Sequence, residues 1–134
     1  FFYLFSLPSM STFLAFRLLP DEDLLEQMNE KVKESKIQAA ALVTCVGSLY
    51  KCNVRLAEAK ETALWEEELE IVSLVGTFSQ NGPHIHISVS DTKGNVKGGH
   101  LLAGSLIRTT AEVVICSLDG EYSFKRSPDE NTGW

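Results

Sequence analysis

The sequence predicts an α+β domain of one helix and about seven strands, and three observations carry that expectation. Apolar residues recur convincingly at helical spacing in one place, residues 24–35. From residue 37 onward the chain alternates or runs apolar in strand-length stretches, broken by turns that contain glycine and aspartate. Its 134 residues amount to about one domain, large enough to bury roughly two thirds of the unfolded surface without disulfides.

Residues 1–9 (FFYLFSLPS) are apolar but have no basic flank and are too few to span a bilayer, so no membrane association is expected. Met10 reads as a start, which would make residues 1–9 upstream sequence, and residues 1–11 are expected to form a non-native or flexible extension; a truncated signal peptide is the alternative. The folded domain is expected over residues 12–126, followed by a polar, proline-broken tail at 127–134. Residues 13–19 form an opening strand that Pro20 ends. Asp21, Glu22 and Asp23 then place carboxylates at a helix N-terminus, and Leu24, Leu25, Met28 and Val32 define the buried face. Residues 37–46 read as a strand ending at Gly47, and residues 49–56 as a second. Residues 64–79 begin with solvated or interfacial Glu66, Glu67, Glu68 and Glu70 and continue into the apolar core run 71–76. A histidine-bearing hairpin follows, then a strongly β-prone strand at 109–118. A final hairpin is expected to turn at Asp119 and Gly120 into residues 121–125.

His84, His86 and His100 are the only histidines, and all lie in that one predicted hairpin. Its strands read as residues 84–90 and 95–102, with Gly94 as the left-handed residue of the three-residue loop Thr92, Lys93, Gly94. Asp91 then pairs with Asn95, and counting back sets His86 opposite His100 with Cβ atoms about 5 Å apart. His84 projects from the same face about 7 Å further along. Three converging imidazoles suit a divalent metal, most naturally zinc, with an open position for water or a ligand. Slipping the register by one residue would turn His100 to the other face, and hydrogen-bonding histidines with no metal are the alternative. Gly98, Gly99 and Ser88 leave space beside the cluster as candidate ligand contacts. Glu112 interrupts an apolar strand at a position otherwise suited to burial, so it should have a partner: the metal, a histidine N–H, Arg108 or a surface lysine.

Composition narrows the function classes. Cys45, Cys52 and Cys116 are odd in number, form no Cys-x-x-Cys pair and sit in apolar or alternating runs. They read as reduced residues of an intracellular protein, cytoplasmic with a nuclear location left open. The net charge of −6 opposes binding driven by nucleic-acid phosphates, and Lys125 with Arg126 is the single short basic cluster.

The motifs LLPDEDLL (18–25), EIVSLVGTF (70–78), HIHIS (84–88), GGHLL (98–102) and TAEVVI (110–115) resemble, in order and spacing, the plant and prokaryote conserved (PPC) domain. The resemblance covers about residues 12–126, and the chain looks like the stand-alone type, with no Arg-Gly-Arg-Pro hook for an AT-rich minor groove. It implies an α+β fold with a mostly antiparallel sheet and assembly into homotrimers. It also implies a metal at His84, His86 and His100, whereas plant members generally replace these motifs. No catalytic reaction carries over, and whether the chain is an enzyme stays open. The expectation is a homotrimer with a three-histidine metal site that binds a small ligand or supports an undefined metal-assisted reaction. Glu112 or Arg108 of a neighbouring subunit is expected near the histidines. A DNA-associated or regulatory oligomerisation module with structural histidines is the alternative.

Overall fold

A computed structural model describes residues 12–58 and 60–131. The expectations for residues 1–11 and for the last three residues lie outside the described residues. Six strands and one helix follow in the order β1 (Phe13–Leu18), α1 (Leu24–Glu34), β2 (Ala39–Arg55), β3 (Thr62–Ser79), β4 (Gly82–Ser90), β5 (Val96–Leu101) and β6 (Leu106–Ser117). The strands form one sheet, β1-β6-β2-β3-β4-β5, in which every pairing is antiparallel. The α+β class and the mostly antiparallel sheet are as expected, with six strands among the described residues in place of about seven.

Helix α1 starts where the carboxylates of residues 21–23 placed it. Asp23 is the N-cap, its Oδ1 accepting from the amides of Leu25 and Glu26 at 3.0 Å each. Its other oxygen accepts from the Gly104 amide, which ties the helix start to the β5–β6 connection. Leu24, Met28 and Val32, four residues apart, are buried against the sheet with Leu18, Ala40, Leu49, Ile107, Ala111, Val113 and Ile115 in the same core cluster. Leu24 and Met28 are fully buried, so truncating either to alanine would cost about 2–5 kcal/mol.

Two expectations are corrected. Residues 37–46 and 49–56 are not two strands: β2 runs unbroken through Gly47, bent by irregularities at 42/44, 47/49 and 49/51. Gly47 does not break the strand. A side chain there would overlap the backbone of Thr110 and Ala111, so glycine permits close approach of β6. The final hairpin does not form either. The turn at Asp119 and Gly120 is present, with the Tyr122 amide donating to Leu118 O at 3.0 Å. Residues 121–125, however, contain no strand. Both edges of β6 are already taken, by β1 and β2, which leaves no ladder for a returning strand. The chain instead runs to the β3–β4 turn, where the Gln80 amide donates to Phe124 O (3.2 Å) and the Arg126 amide to Asn81 Oδ1 (2.9 Å).

One further pairing positions the site. The end of β2 also pairs with β5, Val54 opposite Leu101 and Arg55 opposite His100, so β2, β3, β4 and β5 close into a ring. Its interior is filled by Cys52, Val54, Leu69, Ile71, Ile85, Ile87, Val89 and Leu101. The neighbouring Glu66, Glu67 and Glu68 of β3 reach three different strands, pairing with Lys51, Lys97 and Arg108.

Candidate metal centre

The β4–β5 hairpin has the register that its loop length dictates. The Asp91 amide donates to Asn95 O and the Gly94 amide to Asp91 O, each at 3.0 Å, and Gly94 has φ +80°. His86 therefore faces His100 across the pair. Ile85, Ile87 and Val89 alternate inward and are buried, which turns His84, His86 and Ser88 to the outer face. The ring centroids of His84 and His86 lie 5.2 Å apart, those of His84 and His100 5.2 Å, and those of His86 and His100 5.5 Å. One nitrogen from each ring lies within 4.8 Å of the other two.

Strand contacts hold this arrangement in place. Thr77 and Val75 of β3 stand opposite His84 and His86. On β5, a methyl on Gly98 would overlap the Ile87 carbonyl oxygen and lie 3.0 Å from Ser88 Cα. One on Gly99 would lie 2.7 Å from the Arg55 carbonyl oxygen. The two glycines thus let β5 fit between β4 and β2, which sets His100 beside His86 on one side and Arg55 on the other. A cleft of about 560 Å³ opens here, lined by Arg55, His86, Ser88, Gly98, Gly99 and His100 together with residues 56–58.

Electrostatics keep His84 and His100 in the ligating form. Burial, then the positive charge of Arg55, lowers His100 from 6.5 to about 4. Burial, then Arg126, also lowers His84. Both are neutral at pH 7, as metal ligation requires. Nδ1 of His100 is buried and has no hydrogen-bond partner. An orphaned buried nitrogen is costly, and a bound cation would satisfy it. Three converging imidazoles, one of them carrying an orphaned nitrogen, fit a metal ion.

Of the residues expected at the site, His84, His86, His100, Ser88, Gly98 and Gly99 come together. Within one chain Glu112 and Arg108 do not line the cleft. Glu112 is exposed, because Ala111 and Val113 take the inward positions, and its cross-strand neighbours are Arg17 and Val46. Its expected burial is therefore corrected. Arg108 Nη2 donates to Glu68 Oε1 at 2.7 Å, near the far end of β4. Sequence reasoning missed Arg55 and Arg126. No local signal ties either one to the histidines, since pairing of β2 with β5 and docking of the C-terminal segment bring them there.

Residues 7–119 match the Plants and Prokaryotes Conserved (PCC) domain. The chain belongs to this family. A plant- and prokaryote-conserved (PPC) protein from Pyrococcus horikoshii shares the fold at 28% identity, with 92% of each chain covered at a TM-score of 0.73. A hypothetical protein from Salmonella cholerae-suis (Salmonella enterica) is 36% identical, with 94% of this chain and 91% of that one superposed at a TM-score of 0.89. A metal-containing protein from Archaeoglobus fulgidus is 32% identical, with 91% and 89% covered at a TM-score of 0.77. The bifunctional protein GlmU of Synechococcus sp. (strain JA-3-3Ab) is 42% identical over 118 residues, 88% of this PPC chain. The match spans 19% of that relative's length.

Proposed function

We propose that His84, His86 and His100 hold one divalent metal ion, zinc by the chemistry of an all-imidazole set, in a homotrimer that binds a small ligand at that ion. The observation that carries this reading is the convergence of three imidazoles beside a cleft, with His100 Nδ1 buried and unpartnered. The likeness to a metal-containing archaeal protein supports it. A bound ion of this kind polarises a carbonyl or lowers the pKa of water. The chain's own part is to hold three nitrogens on a rigid ring of strands and to keep the adjoining space open through Gly98, Gly99 and Ser88. Burial pushes the Cys45 and Cys52 thiols up to about 12 and about 11, which disfavours nucleophilic chemistry at these two.

The resemblance supplies the number three for the assembly, and the outer sheet face supplies a reason for association. Val43, Val46, Val72 and Val75 are each more than half exposed. Val75 stands opposite His86 and Val46 opposite Glu112, so a neighbour covering this face would lie at the histidine cleft and beside Glu112. Among the described residues no helix is long and apolar enough to cross a membrane.

Elemental analysis of the full chain, purified after zinc supplementation, tests the metal reading. About one zinc per chain is expected, and His86→Ala should lose most of the affinity, because two imidazoles seldom hold zinc alone. Metal-free protein, or unchanged affinity in the variant, would overturn it. Light scattering should give three times the 14.8 kDa chain mass, and a monomer at micromolar concentration rejects the trimer.

A further inference from the structure

The cleft beside the histidines has a charge pattern that goes further than the metal itself. Arg55 stands opposite His100 in the β2–β5 register, so the two side chains leave the sheet on the same face, and both line the cleft. Arg126 is held close by its backbone bond to Asn81 in the β3–β4 turn. Both guanidiniums act electrostatically on His84 and His100. The three metal ligands are neutral and cancel none of a dication's charge. Glu58 is the one carboxylate among the lining residues, so the loaded cleft keeps an excess of positive charge. Its volume of about 560 Å³ is that of a small-molecule site.

We propose that the occupant of this cleft is a small oxyanion, a carboxylate or phosphate compound, seated between the metal's open position and the Arg55 guanidinium, with the Ser88 hydroxyl at the cleft wall. This rests on the metal reading above and names the ligand class that the site takes. A guanidinium presents paired N–H donors that match two oxygens of a carboxylate or phosphate. A metal with neutral ligands favours an anion over a neutral molecule at its open position. Together they hold one anionic group from two sides. Neither Arg55 nor Arg126 is a metal ligand, so their roles can be tested with the metal in place.

The experiment uses the full chain loaded with cobalt(II), whose visible absorption reports the atoms bound to the ion. Malonate, inorganic phosphate and uncharged malonamide are titrated in turn. Malonate or phosphate should change the spectrum saturably, the stronger of the two identifying the preferred oxyanion, while malonamide should leave it unchanged. Arg55→Met should weaken anion binding about tenfold or more while retaining cobalt. Arg55→Lys, which keeps the charge but loses the fork, should fall between, and it serves as the test if the methionine variant fails to fold. Malonamide binding as well as malonate, or wild-type anion affinity in the Arg55 variants, would overturn the proposal. Wild-type protein that retains no cobalt would overturn the metal reading and this one with it. Cobalt retained without an Arg55-dependent anion response would overturn this one alone.

Discussion

Replacing either glycine of the Gly98–Gly99 pair with alanine should separate two functions that the sequence places side by side. In Gly99→Ala the new methyl would lie 2.7 Å from the Arg55 carbonyl oxygen and 3.2 Å from both Cβ and Cγ2 of Val54. Comfortable carbon contacts begin near about 3.5 Å. Strand β5 must therefore draw back from β2 by about 0.5–1 Å, and the closest obstacle is backbone, which cannot rotate away. Only two residue pairs, Val54 with Leu101 and Arg55 with His100, join these strands. Overpacking of this kind costs about 1–3 kcal/mol. His100 and His86 keep their register, because that is set inside the β4–β5 hairpin on the other side of β5. Zinc affinity should then fall by less than about tenfold, equivalent to about 1.4 kcal/mol. Gly98→Ala presses on Ile87 and Ser88, so it pries apart the two strands that carry the histidines. Its zinc affinity should fall well beyond tenfold. Urea unfolding of the metal-free proteins and zinc competition against a chromophoric chelator measure both quantities. Equal loss of zinc affinity in the two variants, or a stability loss below about 0.5 kcal/mol in Gly99→Ala, would refute the reasoning.

The remaining predictions concern protonation, an unpaired nitrogen and nucleic acid. The folded state lowers His100 from 6.5 to about 4, so the unfolded chain takes up that proton first as pH falls. Metal-free stability should decline from about pH 6.5 to about pH 4, with no His100 contribution to the slope above that window; the shift corresponds to at most about 3.4 kcal/mol, and solvent access to the cleft leaves about 1–2 kcal/mol. A flat unfolding free energy across that window would contradict it. Replacing His100 with valine removes the orphaned Nδ1, so the metal-free fold should be unchanged or more stable while zinc binding is lost; thermal unfolding with and without zinc checks both halves. Duplex DNA should not bind appreciably at physiological salt, given the net charge of −6, and tight, salt-sensitive retardation in a gel shift would reverse that expectation.

What could be read from the sequence was what local geometry determines. Asp23 caps α1 because a carboxylate before an amphipathic run satisfies the first amides. The His86–His100 pair follows from a three-residue loop with glycine at its left-handed position. Where the reading erred, tertiary contacts decided. Gly47 looked like a break, but its lack of a side chain serves the close approach of β6 to an unbroken β2. Residues 121–125 alternate as a strand should, yet β6 has no open edge to receive them. Glu112 looked buried because apolar residues flank it, but in a strand its neighbours face the other way. Arg55 could not be found at all, since its nearness to His100 depends on two strands separated by β3 and β4 closing a ring.

That ring explains why a binding site can exist on a sheet face that folding leaves unfilled. The core is completed on the inner side by Ile85, Ile87, Val89, Leu101 and their partners, all nearly inaccessible to solvent. Nothing about packing that interior calls for histidine at the outward positions 84, 86 and 100. Leaving His100 Nδ1 buried and unpaired works against stability, and holding two guanidiniums near the imidazoles disfavours any proton that might relieve it. A fold that keeps such a local conflict on a rigid frame has its compensation in what binds there. A dication satisfies the nitrogen but adds to the positive charge, and an anion between the ion and Arg55 offsets that excess. Metal and anion should therefore bind cooperatively. Malonate or phosphate should tighten cobalt binding by the same factor by which cobalt tightens theirs, since coupling between two sites is reciprocal. Cobalt affinity left unchanged by saturating malonate or phosphate would mean that the anion sits elsewhere.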